Sequence, residues 1–446
     1  MFRKLSPKSE FSRNVLTLMT GTTIAQAIPI AISPIITRLY SPDDFAIFAI
    51  YMGLASMLTV AATGRYELAI MLPKHDKDAI NIVILSIIIA SFISLFSFII
   101  FFIFNTDIAN FLGNKDVANW LYFIPATVFV SGLYQSFNYW NNRKKHYKKL
   151  ANGKMLQSST TAVTNITMGV SHLNTAGLIL GSLVGQIIST WYIGKTAFID
   201  KKEILKYVNK LKIIALSKKY IKFPTWNLFA SFIHISRQNI IIIFLAKYFL
   251  SSTLGFYYFA EKLLRAPSNV LISAFSDVYY QRLSKVVSHE EMYALSIAYV
   301  KKMIMILTIP YLILLLSLKT LVPIIFGETW NEVYIYLYIL SAPIFFNVVT
   351  AHFSKIFIII NKQEVSFYLH LSKLIGLLIV IFFLYIYHIF SIDALIILAI
   401  NEILWILLGV LIIKRVLNIE KSAYMLYSLF IVLILIEIFI YVQEVR

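Results

Sequence analysis

The stretch "AQAIPIAISPIITRLYSPDDF" (residues 25–45) decides the fold class, because most of it is apolar enough to lie in a bilayer. Two prolines, Pro29 and Pro34, nevertheless lie inside it, and the polar residues Gln26 and Ser33 interrupt it. A simple membrane anchor requires none of these residues. The stretch therefore predicts a spanning helix with one face turned toward protein or water instead of lipid.

The composition of the whole chain predicts a polytopic membrane protein. Of the 446 residues, 59% are hydrophobic and only 14% are charged. Apolar runs of about 20 residues recur along the sequence, and each can cross about 30 Å of hydrocarbon as a helix. No polar stretch is long enough to bury a core of its own. Cysteine is absent, which excludes disulfides and thiolate metal sites.

The apolar runs predict a core of twelve spanning helices and one further span after it. The fifth span has the weakest pattern because it is rich in Ser, Thr and Asn. The thirteen predicted spans lie near residues 14–38, 45–64, 79–104, 118–140, 155–171, 174–195, 225–247, 254–275, 300–322, 332–360, 365–388, 392–413 and 424–442.

Lysine and arginine are distributed unevenly between the two sides of these spans. With the N-terminus placed inside, 34 of the 40 Lys and Arg residues fall on the inner side. Cytoplasmic loops carry such an excess, so the N-terminus is predicted to be cytoplasmic. Topology therefore explains the net charge of +18, with binding of membrane lipid headgroups as a secondary role and no nucleic-acid partner.

The longest predicted inner loop separates two sets of six helices. We expect an all-α fold of two six-helix bundles related by a pseudo-twofold axis along the membrane normal, a recurrent transporter plan. A weak internal repeat supports it, because at an offset of 209 residues Arg38 aligns with Lys247 and Thr22 with Ser231. The predicted parts are an N-terminal lobe at 1–198, a basic cytoplasmic linker at 199–222, a C-terminal lobe at 223–414, and a cytoplasmic segment with the extra helix at 415–446.

Polar side chains and prolines share one face of the first predicted span. Prolines remove backbone hydrogen bonds and the freed carbonyls need partners, so we expect a kink at Pro29 and Pro34. The coincidence of polar residues and prolines favours a cavity over a kink buried against neighbouring helices. The face consists of Thr22, Gln26, Pro29, Ser33 and Thr37.

The seventh predicted span has a similar pattern. Arg237 lies near the middle of this span, where a guanidinium is costly unless it is paired or hydrated. Two interpretations stay open: Arg237 binds an anionic ligand, or it forms an internal salt bridge. The polar face beside it consists of Asn227, Ser231, His234 and Gln238.

Three carboxylates in or beside the spans are candidate ion-coupling residues. Glu261 and Arg265 are one turn apart in the eighth span and are expected to pair, with a cavity gate as the alternative. Glu67 follows Arg65 at the inner end of the second span, where charged side chains reach the headgroups. Glu402 lies near the middle of the twelfth span. It is either a site for H⁺ or Na⁺ or the partner of a cation on another span.

Motifs of known enzyme classes are missing from the sequence. It contains no Walker-type loop, zincin motif or nucleophile elbow. Uphill transport must then draw on an ion gradient or on consumption of the transported molecule. No predicted outer loop clusters carboxylates or histidines, which argues against a glycosyl-transfer enzyme or polymerase. We expect a transporter without a cofactor.

Three stretches resemble bacterial O-antigen and polysaccharide-repeat flippases of the multidrug/oligosaccharidyl-lipid/polysaccharide (MOP) exporter superfamily. The family's opening signature resembles "GTTIAQAIPIAISPIITRLYSPDDFAIFAIY" (21–51) and "RYELAIMLP" (65–73). Its eighth-helix pattern resembles "GFYYFAEKLLRAPSNVLISAFSDVYY" (255–280). Two departures are Ala46, where the family often has Gly, and the thirteenth span, which exceeds the usual twelve.

The resemblance implies alternating access and a specific cargo. That cargo is an undecaprenyl-pyrophosphate-linked oligosaccharide, moved from the inner to the outer leaflet of the bacterial cytoplasmic (inner) membrane. A polysaccharide polymerase and a chain-length regulator are implied as partners. A cationic cavity would bind the pyrophosphate, which a guanidinium suits through paired hydrogen bonds. The implied cavity cations are Arg38, Arg65, Arg237, Lys247 and Arg265.

Two other functions stay open at this point. A multidrug exporter of the same fold would favour carboxylates in its cavity for cationic drugs, whereas the predicted intramembrane charges are mostly basic. A membrane enzyme of glycan assembly would need a catalytic cluster facing one side, and the sequence contains none that we recognise.

Overall fold

The computed structural model of the chain describes residues 10–197, 207–286, 288–360 and 362–418. This part of the chain forms fifteen α-helices joined by 3-10, π and loop segments, and it contains no β-strand. It divides into two compact units on either side of the bond between Ser251 and Ser252. The predicted all-α membrane fold is confirmed, whereas the twofold axis between two bundles stays a prediction.

The described part of the first unit contains nine helices. Local chemistry sets their ends: at the start of α2, Ser41 Oγ accepts a hydrogen bond from the Asp44 N–H, the Asp44 carboxylate accepts one from the Ser41 N–H, and Pro42 opens the helix. The helices are α1 (Glu10–Leu39), α2 (Pro42–Ala61), α3 (Asp76–Phe111), α4 (Ala118–Leu121), α5 (Ile124–Arg143), α6 (Tyr147–Val170), α7 (Thr175–Ala197), α8 (Lys210–Lys219) and α9 (Leu228–Tyr248).

Six helices follow in the described part of the second unit. Trp330 is completely buried there, and its ring centroid lies 4.8 Å from that of Phe259 and 5.8 Å from that of Phe256. The helices are α10 (Ser251–Leu283), α11 (His289–Phe326), α12 (Val333–Thr350), α13 (Ser354–Ile359), α14 (Gln363–Ile386) and α15 (Ile392–Val416).

The chain is a multi-pass membrane protein. Nine helices in its described part are long and apolar enough to cross a membrane, and a broken span raises the number to ten. α6 and α10 form where the fifth and eighth spans are predicted, but they are not among those nine helices. The predicted thirteenth span, 424–442, lies outside the described residues.

The fourth predicted span, 118–140, is wrong as a single helix. The segment Lys115–Leu121 and α5 meet at a bend of 48°. Pro125 lies in the first turn of α5 and has no N–H, so it cannot bond to the Leu121 carbonyl four residues earlier. One helix therefore ends at Leu121, and α5 begins at Ile124 with Pro125 in its first turn.

Two helices are longer than a membrane span requires. α3 has 36 residues and α11 has 38. At 1.5 Å per residue they measure about 54 and 57 Å along the chain, against about 30 Å of hydrocarbon. α3 is kinked at Phe104, whose φ of −114° and ψ of 16° are not helical. The predicted spans 79–104 and 300–322 marked only their apolar parts, because the turns that carry Asp76 and Glu290 are polar.

α2, α3 and α5 approach each other closely at small residues. A Cβ atom on Gly132 of α5 would lie 2.5 Å from Ala90 Cβ on α3 and 3.5 Å from Ala62 Cβ at the end of α2. Lipid gives helices no hydrophobic reason to associate, so close van der Waals contact at small residues holds them together. This crossing therefore holds α2, α3 and α5 close together within the first unit.

Candidate functional site

The Ser33 hydroxyl takes the place of a backbone hydrogen bond that Pro34 removes from α1. Pro34 has no N–H, so the Ile30 carbonyl loses its usual donor four residues later. Ser33 Oγ donates to this carbonyl at 2.6 Å. Thr37 Oγ1 and the Arg38 guanidinium both donate to the Pro34 carbonyl. α1 continues as one helix through Pro34, and the kink stays a prediction.

The predicted polar face of α1 is divided between surface and interior. Pro29 is exposed and Gln26 is half-buried, whereas Ser33 and Thr37 are buried. α1 packs along α6 over much of its length. Of the two α1 side chains predicted to line a cavity, Gln26 is therefore the more accessible and Ser33 serves the backbone of its own helix.

A π-helical turn, Phe223–Asn227, leads into α9, with Pro224 in its first turn. Single π turns interrupt the regular α-helical hydrogen bonding and are frequent at functional sites. Asn227 at the end of this turn is exposed, and Ser231 one turn later is half-buried. These two predicted cavity residues therefore lie where α9 is irregular and reachable.

The middle of α9 brings two further predicted residues together. Gln238 Nε2 lies 3.3 Å from His234 Nε2, as expected for residues one turn apart. Arg237 is half-buried beside them. The structure thus places an imidazole, an amide and a guanidinium within one turn of a spanning helix, and their role in binding stays a prediction.

α9 packs against α2 inside the first unit. Asn239 Oδ1 lies 3.5 Å from the position that a Cβ atom on Gly53 would occupy, and Asn239 Nδ2 donates to the Ile235 carbonyl at 2.8 Å. The lobe boundary predicted at 222/223 places α9 in the C-terminal lobe. That boundary rests on the long inner loop between the sixth and seventh predicted spans and stays a prediction.

Arg38 and Lys247 are exposed at the ends of α1 and α9. Lys247 Nζ lies 4.2 Å from the ring centroid of Phe111 on α3, within cation–π range. The turn after α3 reaches this point through Gly113, whose φ is +74° and whose Cβ, if present, would lie 3.3 Å from Lys247 Cα. An aromatic ring of the first unit therefore holds the Lys247 ammonium.

Arg65 and Glu67 form an ion pair in the turn after α2. Arg65 Nη1 lies 3.3 Å from Glu67 Oε1, and the Glu67 side chain is only 1% exposed. Thr63 Oγ1 donates to the second carboxylate oxygen. Arg65 has a φ of +62°, a costly conformation for a residue with a side chain, which persists where its surroundings require it. The contact brings a carboxylate next to Arg65, so the Arg65 charge is partly neutralised.

We expect the stability of the protein to depend on the protonation of Glu67. This residue lies outside the spanning helices, in the 3-10 helix Tyr66–Met71. Burial raises the pKa of its carboxyl above the ordinary 4.5, although the hydrogen bond from Thr63 and the charge of Arg65 oppose the shift. The folded state therefore favours the neutral carboxyl. The free energy of unfolding is highest below about pH 4.5, where Glu67 is neutral in the folded and the unfolded protein, and it falls as the pH rises through the folded-state pKa.

Thermal unfolding in detergent over this pH range tests the prediction. The melting temperature of the wild type should fall relative to that of Glu67→Gln as the pH rises, because the variant has no carboxyl to ionise. Glu290→Gln, which changes an exposed carboxyl, should instead leave the pH profile as it is. A constant difference between wild type and Glu67→Gln at every pH would contradict the prediction.

Arg143 was not singled out from the sequence, yet it connects three segments of the first unit. Its Nε donates to Asp76 Oδ1 at 2.9 Å, and its Nη1 donates to the Ile70 carbonyl at 3.1 Å and the Met71 carbonyl at 3.4 Å. Lys144 contacts the second oxygen of Asp76. Arg143 thus joins the end of α5 to the 3-10 helix and the start of α3, beside the Arg65–Glu67 turn.

The second unit contains another of the predicted cations, Arg265, next to a carboxylate. Arg265 Nε donates to Glu261 Oε1 at 2.7 Å, as the i, i+4 spacing predicts. The contact between Glu261 and Arg265 that the sequence predicts is therefore present, and Glu402 on α15 adds a weaker, favourable charge interaction with Arg265 within this unit.

The chain matches one family of known protein sequences. Residues 35–335 match the family described as "Polysaccharide biosynthesis protein". No curated protein sequence matches the chain.

Solved structures of transporters share its fold. An inward-facing multidrug resistance MATE family transporter of the MOP superfamily is 14% identical, with a TM-score of 0.63 over 90% of this chain and 94% of that one. An outward-facing one is 13% identical, with a TM-score of 0.57 over 92% and 97%. A MOP superfamily transporter from Pyrococcus furiosus, described as having a binding pocket of reverse polarity, is 14% identical, with a TM-score of 0.57 over 92% and 97%. At these identities the likeness shows the fold alone.

Proposed function

Since this chain belongs to the polysaccharide biosynthesis protein family, we propose that it is a flippase for undecaprenyl-pyrophosphate-linked oligosaccharide units. It moves them from the cytoplasmic to the periplasmic leaflet of the bacterial inner membrane, for O-antigen or another surface polysaccharide. Its N-terminus lies in the cytoplasm, and it works by alternating access. Family membership supports the cargo class, and the transporter fold supports translocation instead of catalysis.

The charge of α9 is the observation that carries this proposal. Leu228–Tyr248 contains Arg237 and Lys247 but no Asp or Glu. A spanning helix of this kind attracts an anion, and a pyrophosphate accepts paired hydrogen bonds from a guanidinium. Arg38 at the end of α1 adds a further exposed positive charge. In this proposal the lipid tail remains in the bilayer while these side chains bind the headgroup.

Replacing Arg237 tests both the function and the mechanism. In proteoliposomes, the wild type should move an undecaprenyl-pyrophosphate-linked oligosaccharide to the opposite leaflet, where an added enzyme can modify it. Arg237→Ala should lower the rate about tenfold to a hundredfold, because a hydrogen bond to a charged group contributes about 1.5–3 kcal/mol. Lys115→Ala removes one exposed positive charge from the turn between α3 and α4 and should leave the rate unchanged.

The outcomes separate the proposal from its alternatives. Flipping by the wild type and by a folded Arg237→Ala at equal rates would keep the function and remove Arg237 from the mechanism. A rate that depends on a proton or sodium gradient, and that Glu402→Gln uncouples, would assign ion coupling to Glu402. No flipping under any gradient by folded protein would contradict the proposal.

A multidrug exporter is the second candidate, because a solved transporter of this fold is described as a multidrug resistance protein. Efflux of cationic dyes from the same vesicles, without flipping, would favour it. In the first proposal, a polysaccharide polymerase and a chain-length regulator act on the unit after it has crossed the membrane.

A further inference from the structure

α8 presents two apolar faces on opposite sides of one short helix. The inner face, formed by Ile213, Leu216 and Tyr220, packs against the buried core of the first unit. The opposite face contains Leu211 and Ile214, which are 77% and 44% exposed. At 3.6 residues per turn these two sets point in opposite directions. One apolar face is thus explained by packing within the protein, and the other is not.

Contacts with the first turns of α3 fix the level of α8 relative to the bilayer. The buried side chain of Asn81 donates to the Tyr207 carbonyl at 2.9 Å and accepts from the Asn209 N–H at 2.9 Å. Lys212 Nζ lies 3.6 Å from Asp78 Oδ1. Because α3 passes from polar to apolar sequence in these turns, α8 lies beside the point where a spanning helix enters the hydrocarbon.

The segment that contains α8 is strongly basic. Residues 209–222 include five lysines and no Asp or Glu. Lys212 is paired with Asp78 as described above. The other four are exposed, and they flank the Leu211–Ile214 face or follow the helix: Lys210, Lys218, Lys219 and Lys222.

We propose that α8 lies in the inner headgroup layer, where Leu211 and Ile214 contact acyl chains and the four exposed lysines bind the phosphates of anionic lipids. An apolar stripe with lysines beside it is the pattern of a helix that lies on a membrane surface. Each lysine near an anionic leaflet adds to the attraction. Since α8 is fixed beside the membrane entry of α3, the bilayer is the partner that both the apolar face and the charge fit.

The absence of cysteine makes this placement directly measurable. The chain contains no Cys, so Leu211→Cys and Ile214→Cys each provide a single site for a spin label. Both substitutions change exposed side chains, which leaves the packed face of α8 intact. Lys148→Cys, in the exposed first turn of α6, is the matched control on the same predicted side of the membrane. The full chain is reconstituted in vesicles of phosphatidylcholine alone or of equal parts phosphatidylcholine and phosphatidylglycerol.

Collisional relaxation then reports the depth of each label. We expect the labels at 211 and 214 to be accessible to oxygen, which dissolves in hydrocarbon, and protected from a water-soluble nickel complex. The label at 148 should show the reverse. Labels at 211 and 214 that resemble the control would overturn the proposal. Labels shielded from both reagents would also overturn it, because another protein segment or a second copy of the chain would then cover the face.

The lysine contribution has its own test. A fourfold variant, Lys210→Gln, Lys218→Gln, Lys219→Gln and Lys222→Gln, keeps Lys212 and its contact with Asp78. With spin-labelled lipids, the wild type should bind phosphatidylglycerol more strongly than phosphatidylcholine in its lipid shell. The ratio of the two binding constants should be about tenfold lower in the variant at low salt. An equal preference in both proteins, at equal melting temperature, would overturn the assignment of anionic lipid to these lysines.

Discussion

Replacing Arg265 by Ala should destabilise the protein by about 3–5 kcal/mol, the range seen when one partner of a buried ion pair is removed. The Glu261 side chain is 11% exposed and accepts a hydrogen bond from Arg265 at 2.7 Å, so the variant leaves a buried carboxylate without this donor. The Arg265 side chain is 38% exposed, which places the expected loss at the lower end of that range. Melting temperature in detergent, followed by size-exclusion of the heated protein, measures the effect.

A double variant distinguishes the pair from its two members. Glu261→Leu with Arg265→Leu removes both charges, and apolar replacement of a buried pair is often neutral or stabilising. We therefore expect it to recover most of the stability that Arg265→Ala loses. If the effects of Glu261→Leu and Arg265→Leu, each measured alone, simply add in the double variant, the residues act independently and the prediction is wrong.

Transport by this double variant also decides between two interpretations of the pair. A gate that depends on breaking the Glu261–Arg265 contact would no longer respond, and flipping would stop in protein that is still folded. A purely structural pair would allow flipping to continue. Glu402 also interacts with Arg265 and loses that partner in the double variant. The effect of Glu402→Gln on transport is therefore measured in both the wild type and the double variant.

Replacing Gly132 by Leu should prevent the first unit from folding stably. Even a Cβ atom at this position would lie 2.5 Å from Ala90 Cβ, so Gly132→Ala already requires α3 and α5 to separate. Overpacking of this kind costs about 1–3 kcal/mol, and leucine adds further atoms at the same crossing. The yield of monodisperse protein and its melting temperature provide the measurement.

Exchanging the two small residues restores the contact if this explanation is correct. Gly132→Ala combined with Ala90→Gly keeps the number of methyl groups at the crossing and should recover most of the stability. Gly409→Ala is the matched control, because no atom of another helix lies within 4 Å of its added Cβ and helical propensity favours alanine. A loss at Gly409 equal to that at Gly132 would show that close approach is not the cause.

Local sequence patterns predicted those features whose partners are near in the chain. Apolar runs predicted helices at the twelve core positions because hydrocarbon length sets their size, and nine helices in the described part of the chain, or ten with the broken span, are long and apolar enough to cross a membrane. The i, i+4 spacing of Glu261 and Arg265 was enough to predict their contact. The break before α5 coincides with Pro125, but a proline alone does not predict a break, because α1 continues as one helix through Pro34.

Features that depend on distant partners were not predictable from one sequence. Arg143 meets Asp76 and the Ile70 carbonyl across about 70 residues of chain, and no local pattern connects them. The segment 199–222 was predicted only as a basic linker, because the helix within it is held by Asn81 on α3. The same limit applies to the candidate site, where the sequence named Arg65 as a cavity cation without predicting its ion pair with Glu67.

The Ser33–Pro34 arrangement has a mechanical consequence for a transporter that alternates between two states. A carbonyl freed by proline and bonded to a neighbouring helix would tie the two helices together, and any sliding or rotation would break that bond. Here the donor and acceptor, Ser33 Oγ and the Ile30 carbonyl, belong to the same helix and move as one body. α1 can therefore change its tilt or rotation against its neighbours at no cost in this hydrogen bond, which suits a helix on a moving path.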